Sequence, residues 1–260
     1  MAPKTRRYDS AKIRAAVLAQ FGHVREAAAT LTPDQLTLPT HLGDWTVRDL
    51  AAHIAWVIDS LADAIERPAP VKAEITAVEW PFETARLARR ISEVAKELSL
   101  DEPLEAQYER SAARLAAALT QTPATRPLSL RVGAMTLADF MVTRTVELVV
   151  HTDDLNRAAG LEIPFDRQAL ATCTRLLADA LALRAPGASV EVRVPPYAVV
   201  QCVEGPRHTR GTPPNVIETD PLTWIRLATG RTGWQEAVGA AAVSASGERA
   251  DLSGLLPILG

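Results

Sequence analysis

"TVELVVHTDD", residues 145–154, places Glu147 and His151 four positions apart in a segment that otherwise reads apolar. Four residues make about one helical turn, so in a helix the two side chains share a face. Just upstream, "TLAD" at 136–139 sets a threonine three residues ahead of an aspartate, a capping pattern. Leu137, Phe140, Met141, Leu148 and Leu155 then recur at helical spacing, and Gly160 follows as a stop. The stretch is therefore expected to lie on one long helix ending at Gly160. Its carboxylate and imidazole can be half of a metal site, or two polar groups satisfying each other at the rim of a core.

The chain before this helix has the same texture. Residues 10–30 read as a first helix, with Ile13, Val17 and Phe21 on one stripe. "LTPDQLTLPTHLGDW" is expected to be a long connection, broken by Pro33, Pro39 and Gly43. "TVRD" repeats the capping pattern, with Thr46 as cap and Asp49 three residues on. Val47, Leu50, Ile54, Ile58, Leu61 and Ile65 then form a stripe that Pro68 ends. Two more helical segments are expected near residues 82–98 and 102–120. Helices with one-sided stripes and mostly short connections make a bundle.

Near residues 160–165 the pattern changes. "DRQALATCTRLLADALALRAPG" is one more helix, but "ASVEVRV", "YAVVQCV", "NVIET" and "AVSAS" are alternating or apolar β runs. "DPLTWIRLATGRTGWQEAVG" reads as two short helices around Gly230. The expected architecture is an N-terminal helical bundle over residues 1–162 and a C-terminal α+β domain over 163–260.

The 260 residues are 47% hydrophobic and 23% charged, with a formal net charge of −3. That length suits two compact units. No basic stripe interleaved with aromatics appears, which argues against nucleic acid. No apolar run approaches the roughly 20 residues of a spanning helix, which argues against a membrane. The basic start, "MAPKTRRYDS", lacks an apolar core for a secretory signal and reads as a solvated arm. Cys173 and Cys202 form no metal or redox spacing. A reduced, cytoplasmic protein is expected.

Of the five histidines, His23 and His41 fall in or beside weakly constrained segments, and His208 in a Pro/Gly-rich loop. His53 and His151 are both on expected bundle helices. His53 lies about 10 Å beyond its cap, and Glu147 and His151 about 16 to 23 Å beyond Thr136. A neighbouring antiparallel or oblique helix would bring the three together. A divalent ion and a plain polar cluster both remain open on this evidence.

"LPTHLGDWTVRDLAAHIAW" resembles the start of the second bundle helix in the mycothiol-dependent maleylpyruvate isomerase family, part of the DinB-like group of metal-binding four-helix bundles. "RTVELVVHTDDLNRAAG" resembles the family's other signature. The resemblance implies that His53, Glu147 and His151 bind a divalent metal, typically zinc. "DPLTWIRLATGR" and "ASGERADLSGLLPIL" are similar to the sterol-carrier-like α+β domain that such proteins carry. In the family an arginine of that domain assists at the active site; Arg231 is the first candidate here and Arg226 the second. Residues 99–135 depart from the family pattern, looking longer and more helical than expected.

The implied partners are a small-molecule thiol, mycothiol, and an electrophilic substrate. Two imidazoles and one carboxylate leave zinc with an open position, where a bound thiol loses its proton. Reversible addition of the thiolate to a conjugated double bond permits cis–trans isomerisation; displacement of a leaving group gives a thiol transferase instead. Asp154 could orient an imidazole from behind. Two other classes stay open: a non-enzymatic carrier of an apolar ligand, and a metal-dependent hydrolase.

Overall fold

A computed structural model describes residues 6–84, 93, 96–98, 102–205 and 214–259. It divides into two compact units, Tyr8–Ala169 and Leu170–Gly260, with Met1–Arg7 grouped with the second. The architecture is a helical N-terminal region followed by a region containing a sheet.

In the first unit, α1 is Ser10–Ala28, α2 Pro33–Thr37, α3 Val47–Glu66, α4 Trp80–Thr84 and α5 Leu104–Leu119. The hairpin β1 (Pro127–Leu130) and β2 (Gly133–Thr136) leads directly into α6, Leu137–Ala159. Helices α1, α3, α5 and α6 form the bundle, with α3 packed on both α5 and α6 and α1 on the same two. Two predicted elements differ. The connection before α3 contains α2, started by a capping box between Thr32 and Gln35 with Pro33 in the first turn. Residues 127–136 form a β-hairpin within the segment that reads as helical, because Pro127 and Gly133 break helical continuity. Most of the helix expected at 82–98 lies outside the described residues; its first turn is α4.

Capping decides where the two site-bearing helices begin. Thr46 accepts from the Asp49 amide and Asp49 accepts from the Thr46 amide, so both donors at the start of α3 are satisfied. Thr136 caps α6 through the Asp139 amide. Gly160 closes α6 at φ 65°, a left-handed conformation that favours glycine. The apolar stripe of α3 is wholly internal: Val47, Leu50, Ile58 and Leu61 have no exposed surface and Ile54 almost none. Polar ties fix how the helices register. The Tyr108 hydroxyl on α5 donates to the Ala51 carbonyl on α3 at 2.9 Å, and its ring stacks on Phe21 of α1. Gln20 on α1 donates to the buried Thr152 hydroxyl on α6 at 3.0 Å.

The second unit contains most of α7 (Arg167–Arg184), β3 (Val190–Val194), β4 (Ala198–Cys202), β5 (Val216–Thr219), α8 (Pro221–Ala228), α9 (Trp234–Gly239) and β6 (Val243–Ser246). The sheet runs β4-β3-β5-β6; β3 pairs parallel with β5, and the outer pairs are antiparallel. Val190, Val192 and Val194 alternate into the core, as period-two patterning requires. Trp224 of α8 fills the space against α7 and donates its indole N–H to the Thr174 carbonyl. At the start of the chain, Arg6 is not free in solvent but forms a two-pronged pair with Asp179 at 2.9 and 3.1 Å. No helix among the described residues is long and apolar enough to cross a membrane.

Candidate metal and substrate site

Helix α3 supplies His53 and helix α6 supplies Glu147 and His151, and the packing of α3 on α6 brings all three together. The Nε2 atoms of His53 and His151 lie 3.7 and 3.3 Å from the same oxygen, Glu147 Oε2. The three ligand atoms fall within 4.8 Å of one another, and this is the one such cluster of metal-ligating side chains among the described residues. A tetrahedral ion with arms of 2.0–2.1 Å spaces its ligands about 3.3 Å apart. The His151 contact to Glu147 matches that edge and the His53 contact lies slightly beyond it, so the donor set is of the right kind and spacing for a zinc-sized ion after a small adjustment.

The surroundings prepare the donors. His151 Nδ1 is 3.0 Å from Asp154 Oδ2, a carboxylate that is 3% exposed. A carboxylate accepts, so Nδ1 carries the proton and Nε2 turns its lone pair towards Glu147. Two lone pairs 3.3 Å apart call for a cation between them, either a proton or a metal ion. His53 is 3% exposed, wedged between the rings of Trp45 and Trp56 and edge-on to His151, and its Nδ1 has no hydrogen-bond partner.

Burial lowers the pKa of His53 more than the neighbouring Glu147 raises it. At Glu147 burial pushes the other way, but the neighbouring His151, His53 and Arg144 hold the carboxyl well below its usual range. Burial also opposes protonation of His151, yet Asp154 and Glu147 together raise its pKa. A carboxylate that stays ionised beside two imidazoles suits a divalent cation.

His53 and Glu147 also line a cleft of about 120 Å³, open to solvent at its mouth and contained within the bundle unit. Trp56, Trp80 and Phe140 form its apolar walls, and Arg67, Arg131 and Arg144 contribute positive charge.

A family model for the mycothiol maleylpyruvate isomerase N-terminal domain matches residues 17–156, more than half of the chain. The chain belongs to that family. A second model, described as bacterial SCP ortholog, matches residues 166–258. Among solved structures, the chain is similar to a mycothiol-dependent maleylpyruvate isomerase at TM-score 0.61 and 16% identity, covering 94% of this chain and 95% of that one. A histidine-to-alanine mutant of the isomerase matches at TM-score 0.60, with the same identity and coverage. At this identity the likeness concerns the fold. No curated protein matches the chain significantly.

The other expected residues are placed as follows. His23 pairs with the Pro164 carbonyl, His41 is exposed in the loop before α3, and His208 lies outside the described residues. Both cysteines are buried; burial raises Cys173 and pushes the Cys202 thiol up to about 11, so neither is a ready thiolate. Arg226 and Arg231 belong to the second unit, at the end of α8 and just after it, where Arg231 Nη1 donates to the Thr229 carbonyl at 2.8 Å.

Arg144 opens the stretch "RTVELVVHTDDLNRAAG" but has no role assigned there, and it stands out only here. It is 5% exposed, and its Nη2 lies 3.7 Å from Glu147 Oε1. The available signal is positional: Arg144, Glu147 and His151 fall at i, i+3 and i+7, one face of a helix.

Proposed function

We propose that this protein is a metal-dependent enzyme that uses a low-molecular-weight thiol, mycothiol, as nucleophile in an isomerase or S-transferase reaction. The metal, zinc by preference, is held by His53, Glu147 and His151. The observation that carries this reading is the convergence of His53 Nε2, His151 Nε2 and Glu147 Oε2 at a cleft open to solvent. Family membership supports the choice of thiol.

A divalent ion, if held by His53, Glu147 and His151, would supply the charge that favours thiolate over thiol at neutral pH. The residues do the rest. Asp154 holds the Nδ1 proton of His151 and so keeps its Nε2 free to ligate. Burial keeps His53 neutral, the form in which an imidazole can donate its lone pair. Trp56, Trp80 and Phe140 exclude water from one side of the cleft, which strengthens charge interactions inside it. Arg231, or failing it Arg226, is the candidate for the assisting arginine of the second domain.

Calorimetry of the zinc-loaded protein with mycothiol tests the reading. Micromolar binding is expected, lost when His53→Ala removes a ligand. Metal bound without any thiol binding at millimolar concentration would discard the thiol and favour hydrolysis by metal-activated water. A chain without metal that keeps a fatty acid or sterol through purification would point instead to a carrier.

A further inference from the structure

We infer that Arg144 is a substrate-binding residue whose guanidinium anchors a carboxylate on the electrophile taken by the cleft. The inference rests on the reading of that cleft as the enzyme's substrate site. Arg144 is 5% exposed and lines the cleft beside Glu147. Its Nε and Nη2 share a single acceptor, the Thr143 hydroxyl, at 3.3 and 3.2 Å. Its Nη2 lies 3.7 Å from Glu147 Oε1, beyond hydrogen-bond reach. Among the described residues, Nη1 has no hydrogen-bond partner. The centre of the guanidinium lies 4.4 Å from the Phe140 ring centroid and 5.8 Å from that of Trp80. With Thr143 on the Nε side, the Nη1–Nη2 edge is what remains for a ligand, and a carboxylate matches such an edge in two parallel bonds.

The charges around the cleft favour the same occupant. A buried cation is costly without an anion. Two carboxylates line the cleft, and both are engaged: Glu147 faces the two imidazoles, and Asp63 is held by Arg114 at 2.7 Å. The other two cations of the lining, Arg67 and Arg131, are exposed and add a positive field that draws anions towards the mouth. Glu147 is the one anion near Arg144, at 3.7 Å and shared with two imidazoles; a ligand carboxylate would add the direct hydrogen bonds that Glu147 does not make to the guanidinium.

Cinnamate and cinnamamide are suitable probes, because they share a planar conjugated shape and differ in charge. Calorimetry on the full chain, both zinc-loaded and chelated, should show cinnamate bound roughly ten- to hundredfold more tightly than the amide, the range of a hydrogen bond to a charged group. Arg144→Gln should bring the ratio close to one while leaving amide binding unchanged, and Arg67→Gln and Arg131→Gln should preserve most of it. Should Arg144→Gln fail to fold, Arg144→Lys carries the test: it keeps the charge, loses the fork and should lower the ratio several-fold. Cinnamate that fails to bind at millimolar concentration would overturn the assignment. So would a ratio unchanged in the Arg144 variants, or an equal loss of both probes. A ratio that vanishes on chelation would mean that the carboxylate binds the metal, overturning Arg144 as anchor and leaving the metal reading intact. A ratio that persists where mycothiol does not bind would sink the thiol reading and leave this one standing.

Discussion

Alanine in place of His53, Glu147 or His151 should strip the divalent ion from a protein that otherwise holds it in stoichiometric amount. Each change leaves two of three donors, and the ligand spacings of 3.3 and 3.7 Å centre on Glu147, so Glu147→Ala should be the most damaging. Asp154→Asn leaves the ligands in place but weakens the partner that fixes the His151 tautomer; its metal affinity should fall about 10- to 100-fold. Acid should release the metal as well. His151 has a raised pKa in the metal-free chain, so falling pH protonates it above the ordinary histidine value, and the proton then competes with the ion. Elemental analysis of untagged, unchelated protein measures all of this. Equal, sub-stoichiometric zinc in wild type and His151→Ala would remove the site.

Trp224→Ala should be among the most destabilising single changes in the second unit. The side chain is 1% exposed, and its indole N–H satisfies the Thr174 carbonyl at 3.2 Å across the contact between α8 and α7. Truncating a buried tryptophan costs about 3–5 kcal/mol through lost burial and the cavity left behind. A unit held by a four-stranded sheet and three helices has a total stability on the order of 5–15 kcal/mol. The variant should therefore unfold at clearly lower urea concentration, and a phenylalanine there should recover much of the loss. A loss under about 1 kcal/mol would show that the site collapses around the smaller residue.

Much of this molecule was legible in local signals. Thr46 with Asp49 and Thr136 with Asp139 are capping pairs three residues apart, and Gly160 meets a backbone need that few other residues meet, so the limits of α3 and α6 follow from short-range chemistry. The same period puts Glu147 and His151 on one face. The four runs after residue 188 are alternating or apolar, and each appears in the sheet. The hairpin at 127–136 was hidden for the converse reason: its pairing is not local in pattern, and the preceding alanine-rich helix makes the segment look helical.

What tertiary structure alone decided lies where separate elements meet. His53 is 94 positions from Glu147 in the chain, and only the packing of α3 on α6 sets their atoms 3.7 Å apart. Arg144 reads in sequence as an ordinary helical arginine, a residue type that usually faces water. The rings of Phe140, one turn before it, and Trp80, from a distant part of the chain, enclose it at the cleft. Helical period fixes which side chains share a face; burial and charge at that face depend on which other faces pack against it.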